Sequence, residues 1–170
     1  MTEFPASGEA APYYFTYISQ VAGADIVAVL ETQGQDAPLL LSRISEEQSL
    51  HRYAPDKWSI RQVLSHITDT ERVLVSRAFW FARGFDTPLP SFDQDTSVVA
   101  AEADRVSWAS HLDEFRTVRQ ATLSFFRNLP PEAWTRSGIA SGNPFTVRAL
   151  AWIIAGHFIH HRVILEQRYL

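Results

Sequence analysis

From Thr146 to Tyr169 apolar residues recur at helical spacing, and two histidines stand in the middle of the stripe they make. At about 100° per residue, Leu150, Ile153, Ile154, His157, His161, Ile164 and Leu165 share one face, with His160 at its edge. A helix carrying such a stripe must bury it against other elements. The two imidazoles then need partners for ring nitrogens held away from water. A single core histidine is commonly a hydrogen-bonded packing residue. Two of them one turn apart on a buried centreline also match the His-x-x-x-His spacing that grips a metal in zinc enzymes.

The rest of the chain supplies helices for that stripe to meet. Asp25 is placed to cap a first helix reaching about Ser45, with Gly34 and Pro38 weakening its middle and predicting a kink or break there. Ser59-Ile60-Arg61-Gln62 is a capping box, so a second helix starts there, runs to about Arg83 and has Gly84 as the residue beyond its end. A third runs from about Trp108 to Asn128, stopped by Leu129-Pro130-Pro131, and the fourth from about Thr146 to Tyr169. No stretch alternates convincingly as a strand.

The short link between the first two helices implies an antiparallel pair. Residues 85–107 could span about 75 Å if extended, against a second helix about 39 Å long. That connection can return along the bundle and let the second and third helices run parallel. The expected architecture is an all-α four-helix bundle, up-down-down-up with a long crossover between helices two and three. It should form one domain over residues 1–170, with residues 1–12 as a loose arm and the aromatic stretch Tyr13–Ile18 docking on the body as a short turn or wrap.

Composition narrows the chemistry. The 170 residues are 46% hydrophobic and 20% charged, as in a globular protein. There is no cysteine, which excludes disulfides, thiolate metal sites and a cysteine nucleophile, so any metal must sit on nitrogen and oxygen. A net charge of −4, with no basic patch interleaved with aromatics, speaks against nucleic acid. The longest apolar run, Ala149–Ile159, is too short to span a membrane, and the N-terminus does not read as a secretory signal, so a cytoplasmic protein is expected.

A third nitrogen is available in His66, two turns into the second helix on the flank of a stripe made by Ile60, Val63, Ile67, Thr70 and Leu74. Asp69, three residues on, could orient an imidazole or act on a metal-bound water, or be a solvated helix residue. Asp93 and Asp95 lie in the crossover, where a parallel arrangement would return them to the metal's half of the bundle. Di-iron bundles need Glu-x-x-His on two helices and zinc proteases need His-Glu-x-x-His; neither is present. A bis-histidine haem stays open, although three converging histidines suit it poorly. Two charges, Glu71 and Arg119, fall on buried stripes and are expected to pair, unless Glu71 meets a tyrosine of the Tyr13–Tyr17 arm and Arg119 reaches solvent.

Taken together, Tyr13-Tyr14-Phe15-x-Tyr17-Ile18, Lys57–Glu71 with its Trp-Ser-Ile…His core, Pro88–Asp95, and Ser141-Gly142-Asn143-Pro144 through the Gly156-His157-Phe158-Ile159-His160-His161 cluster resemble the DinB-like (DinB/YfiT) superfamily. The resemblance implies an up-down-down-up bundle, often homodimeric, with nickel, zinc or a similar divalent ion on His66, His157 and His161. It also implies a possible low-molecular-weight thiol as cosubstrate, since the family includes thiol-dependent S-transferases and isomerases. The expected function is thus a metal-dependent enzyme acting on a small molecule, a thiol transferase or a hydrolase. The alternative is a metal-binding module without turnover, in which the ion ties helices together.

Overall fold

The computed structural model describes residues 3–23 and 25–170. Its helices are α1 (Phe15–Ile18), α2 (Ile26–Leu41), α3 (Ile60–Ala82), α4 (Gln94–Ala100), α5 (Trp108–Arg127) and α6 (Val147–Arg168), with a hairpin of β1 (Ser137–Ala140) and β2 (Asn143–Thr146) before α6. The four long helices, α2, α3, α5 and α6, form the bundle.

Local chemistry starts each of them. The Ser59 hydroxyl accepts the Gln62 N–H at 3.1 Å, and the Gln62 carboxamide accepts the Ser59 N–H at 3.0 Å, which closes the capping box of α3. Asp25, Ser107 and Thr146 cap α2, α5 and α6 with their side chains. The chain leaves α3 through Gly84 at φ 79°, a left-handed turn that glycine makes without a Cβ penalty.

Contacts along the helices reveal how they run. Arg61 donates to the Val106 carbonyl, Arg72 meets Glu114, Glu71 meets Arg119 and Phe79 packs near Phe125, so α3 and α5 ascend together. Against α6 the order reverses: Tyr169 donates to the Trp58 carbonyl, whereas Arg77 reaches Ser141 just ahead of α6. The pair α2 and α5 is likewise antiparallel, with Leu41 beside Trp108 and Glu31 beside Arg127.

Four features depart from the sequence reading. No break occurs at Gly34 or Pro38, because α2 continues through both. Gly34 instead lets α5 come close, since a Cβ there would lie 3.0 Å from Arg119 Cγ. The crossover contains α4, started by the Asp93 carboxylate accepting the Thr96 N–H at 2.8 Å. Seven residues are too few for a periodic stripe to show. The hairpin turns through Ser141 and Gly142, both at positive φ, as two-residue hairpin turns require. Its strands of four residues carry Gly138 and Pro144, so alternation is hidden. Gly138 is needed because Phe81 packs where its Cβ would be. The crossover is then pinned to the hairpin, with Leu89 bonded to Ile139 and Ser141.

Residues 3–12, expected as a loose arm, are fastened. Thr146 N–H donates to the Glu9 carbonyl, Ala10 is buried, and the Glu9 carboxylate accepts from Arg148 and Thr146. Burial alone would raise the Glu9 pKa. The hydrogen bonds from Arg148, Thr146 and the Ala6 N–H outweigh it and lower the pKa to about 2.

Two apolar clusters fill the interior. One gathers Ile18, Leu30, Leu74, Phe81 and Phe126 with the first half of α6; the other gathers Leu41, Ile60, Leu64, Phe115, Phe158 and Leu165. Between them lies a polar layer spanning all four long helices. Arg119 grips Glu71 at 2.9 and 2.7 Å and also donates to Gln33 at 2.9 Å and to the Leu30 carbonyl at 3.2 Å. Gln33 in turn donates to the Ala155 carbonyl. Arg119 is 1% exposed and Glu71 2%, so this is the buried pairing that the two stripes called for, and the tyrosine arm is not its partner.

Candidate metal centre

Three imidazoles converge at the same boundary between clusters. His66 comes from α3, and His157 and His161 from successive turns of α6. His66 and His157 are buried and His161 is partly buried. The Nε2 atoms of His66 and His161 each lie 3.1 Å from His157 Nε2, and the three potential ligand atoms all fall within 4.8 Å of one another.

Hydrogen bonding alone cannot satisfy this arrangement. A neutral imidazole nitrogen either carries a proton or offers a lone pair, so His157 Nε2 cannot donate to one neighbour and accept from the other. Protonation is no remedy, because burial opposes charge. Burial lowers the His66 pKa to about 4, against the opposing pull of the Asp69 and Asp95 carboxylates. It lowers His161 to about 3, helped by His66 and His160, and holds His157 well below its ordinary value.

A cation resolves the conflict, and the spacing fits one. Two nitrogens 3.1 Å apart, each about 2.1 Å from a shared ion, subtend about 95° at it. That lies between an octahedral and a tetrahedral angle. The Thr70 hydroxyl stands 3.5 Å from His66 Nδ1. A proton on Nδ1, facing Thr70, leaves the Nε2 lone pair free, which is the outer-partner arrangement metal-binding histidines favour.

Aromatic rings shield the cluster. Trp58 packs on His66 with ring centres 4.9 Å apart, and Tyr17 meets both His157 and His160 edge-on at 5.4 Å. Tyr17 arrives on α1, and Gly156 is the reason it can. A Cβ at position 156 would lie 2.0 Å from the Tyr17 carbonyl oxygen. Gly156→Ala is therefore expected to displace α1 and destabilise the fold by about 1–3 kcal/mol through overpacking. Urea denaturation checks the loss, and an unchanged midpoint would mean that α1 does not sit there.

Two cavities reach the histidines. One of about 120 Å³ has His66 and His157 in its wall, with Tyr17, Thr70 and Arg77. Another of about 270 Å³ borders His161, Trp58 and Asp95. Asp95 thus sits beside the site, whereas Asp93 is spent as the α4 cap. Asp69 stands outside the nitrogen cluster, bonded to Arg72 at 3.1 Å and accepting from Ser97 at 3.4 Å. His160 packs on Tyr17 and does not join the cluster. Tyr17, Thr70 and Trp58 were not singled out as site residues from the sequence. The i, i+4 relation of Thr70 to His66 is the signal that could have found it.

A model of the DinB superfamily matches residues 30–165, a span that takes in all three histidines. The chain belongs to the DinB superfamily. Among solved structures, this DinB chain is similar to YfiT from Bacillus subtilis, described as a probable metal-dependent hydrolase with an unusual four-helix bundle topology. The TM-score is 0.69 at 16% identity, over 80% of this chain and 79% of that one. It is also similar to a mycothiol-dependent maleylpyruvate isomerase, with a TM-score of 0.67 at 11% identity, over 81% of this chain and 58% of the isomerase. At these identities the likeness is one of fold. A comparison with curated proteins finds no sequence match. Among the described residues no helix is long and apolar enough to cross a membrane.

Proposed function

We propose that His66, His157 and His161 hold one divalent metal ion, nickel or zinc, and that the protein is a metal-dependent enzyme acting on a small molecule. The observation that carries this reading is the convergence of three imidazole nitrogens, of which His157 Nε2 cannot donate to one neighbour while accepting from the other. Bound there on three neutral ligands, such an ion keeps its double charge and lowers the pKa of a thiol or water beside it. His66 and His157 also line a cavity, which gives a substrate access to that position.

The chain's own groups have distinct tasks in this reading. Thr70 fixes the His66 ring, Trp58 and Tyr17 limit water, and the carboxylates of Asp69 and Asp95 favour positive charge at His66. Asp69 acts by its charge, since its oxygens are engaged by Arg72 and Ser97. The description of YfiT supports activation of water. The mycothiol dependence of the isomerase supports a low-molecular-weight thiol as cosubstrate.

Metal analysis of tag-free protein, followed by a screen of thiols with electrophiles and of hydrolysable esters and amides, tests this. One equivalent of metal and an activity lost with chelator are expected. Failure to take up an equivalent of nickel or zinc at neutral pH would refute the assignment. Full metal occupancy with no turnover, but a large rise in melting temperature, would favour an ion that merely ties α3 to α6.

A further inference from the structure

Three arginines are at least nine-tenths buried among the described residues: Arg61, Arg77 and Arg119. Two of them are matched by carboxylates. Arg119 holds Glu71, and Arg61 holds Glu46 with the Ser49 hydroxyl and nearby carbonyls. Arg77 has no carboxylate. Its Nη2 donates to the Pro90 carbonyl at 3.0 Å and to the Ser141 hydroxyl at 2.9 Å, and the Tyr14 hydroxyl is a further, uncharged partner. The sealed and unpartnered side-chain nitrogens among the described residues are those of Trp80 and Trp152, so no N–H of Arg77 is both sealed in and without a partner. Arg77 lines open space.

That space is the cavity of about 120 Å³ which also has His66 and His157 in its wall. Val73, Arg77 and Phe92 also line a neighbouring cavity of about 340 Å³. A buried guanidinium without a counter-charge gives up solvation that no partner charge restores. An anion entering the cavity would relieve that cost.

We propose that Arg77 anchors the carboxylate of the small molecule this site takes, leaving the other end of that molecule directed at His66 and His157. The planar guanidinium offers a fork that matches a carboxylate. In the metal-free site Arg77 is the one charged side chain among the described residues of that wall, and its single charge balances a monoanion. Arg77 follows His66 by three helical turns, about 16 Å along the axis, so an extended acid suits the gap better than acetate. Val73, Leu74 and Phe92 line the path between and would cover its apolar stem. Direction of the far end toward the histidines rests on the proposed function; the carboxylate contact does not need the metal.

Ligand-observed NMR titration of metal-free protein with hexanoate, acetate and hexanamide tests this, with nickel-loaded protein as a parallel series. Hexanoate is expected to bind the metal-free wild type about tenfold more tightly than hexanamide, the scale of a charge-assisted hydrogen bond, and more tightly than acetate. Arg77→Met should lose that preference, and Arg77→Lys should keep part of it. Equal binding of acid and amide by the wild type would overturn the proposal whether or not the variants fold. So would unchanged hexanoate affinity in a folded Arg77→Met. A protein that binds hexanoate through Arg77 but takes up no metal would sustain this contact while refuting the metal assignment.

Discussion

Replacing His157 by alanine is expected to abolish stoichiometric metal binding while leaving the helical content nearly intact. His157 is the hinge of the cluster, since its Nε2 lies 3.1 Å from both of the other nitrogens. Its loss leaves two donors on different helices, too few for a three-nitrogen site. The helix itself tolerates the change, because alanine is the best helix former and the flanking Ala155 and Phe158 keep α6 in the core. Metal analysis after dialysis against nickel or zinc, with circular dichroism as the control, reads both effects. His160→Ala is the matched comparison and should keep the ion, since His160 packs on Tyr17 outside the nitrogen cluster. Full occupancy in His157→Ala would rule out this ligand set.

The largest effect on stability is expected from breaking the pair of Glu71 and Arg119. Glu71→Ala would leave a guanidinium that is 1% exposed, hydrogen-bonded only to Gln33 and the Leu30 carbonyl and with the Phe115 and Phe158 rings beside it but no counter-charge. An uncompensated buried charge costs about 3–5 kcal/mol, a large share of a typical domain's stability. The double variant Glu71→Leu with Arg119→Met removes both charges at similar volume and should recover much of the loss. A double-mutant cycle by urea denaturation measures the coupling. A value below about 0.5 kcal/mol, the scale of an exposed pair, would show that the two residues do not meet in a buried setting. Because Gln33 and Ala155 extend the pair to α2 and α6, it sets the register of all four long helices.

The long helices were legible because each is long enough for its stripe to repeat. The capping box at Ser59, the exit at Gly84 and the stop at Pro130 lie within or beside the segments they delimit, so local pattern finds them. The same holds for His157 and His161, whose spacing on α6 is a property of one helix. The choice of His66 as their partner also followed from residue pattern, through its place on α3 and the family resemblance. Glu71 and Arg119 were recognisable as buried charges, and pairing was the simplest remedy for both.

What local pattern lacked was long-range or too short to repeat. The hairpin and α4 are four and seven residues per element, and their conformations depend on Phe81 over Gly138 and on Leu89 against the hairpin. The role of Gly156 is invisible without α1, because the carbonyl that forbids a Cβ belongs to Tyr17. Asp93 and Asp95 look alike in the chain, yet one caps a helix and the other borders a cavity with His161. Arg77 is one of fourteen arginines in the sequence; only packing shows that it is buried without a carboxylate. Sequence by itself determined the four long helices, most of their ends and the residue types able to bind a metal, since periodicity and capping act over a few residues. Tertiary structure alone decided that nitrogens of His66 and His161 each lie 3.1 Å from that of His157 and that a cavity opens beside them. Convergence and enclosure come from contacts between residues far apart in the chain, and no local pattern records those.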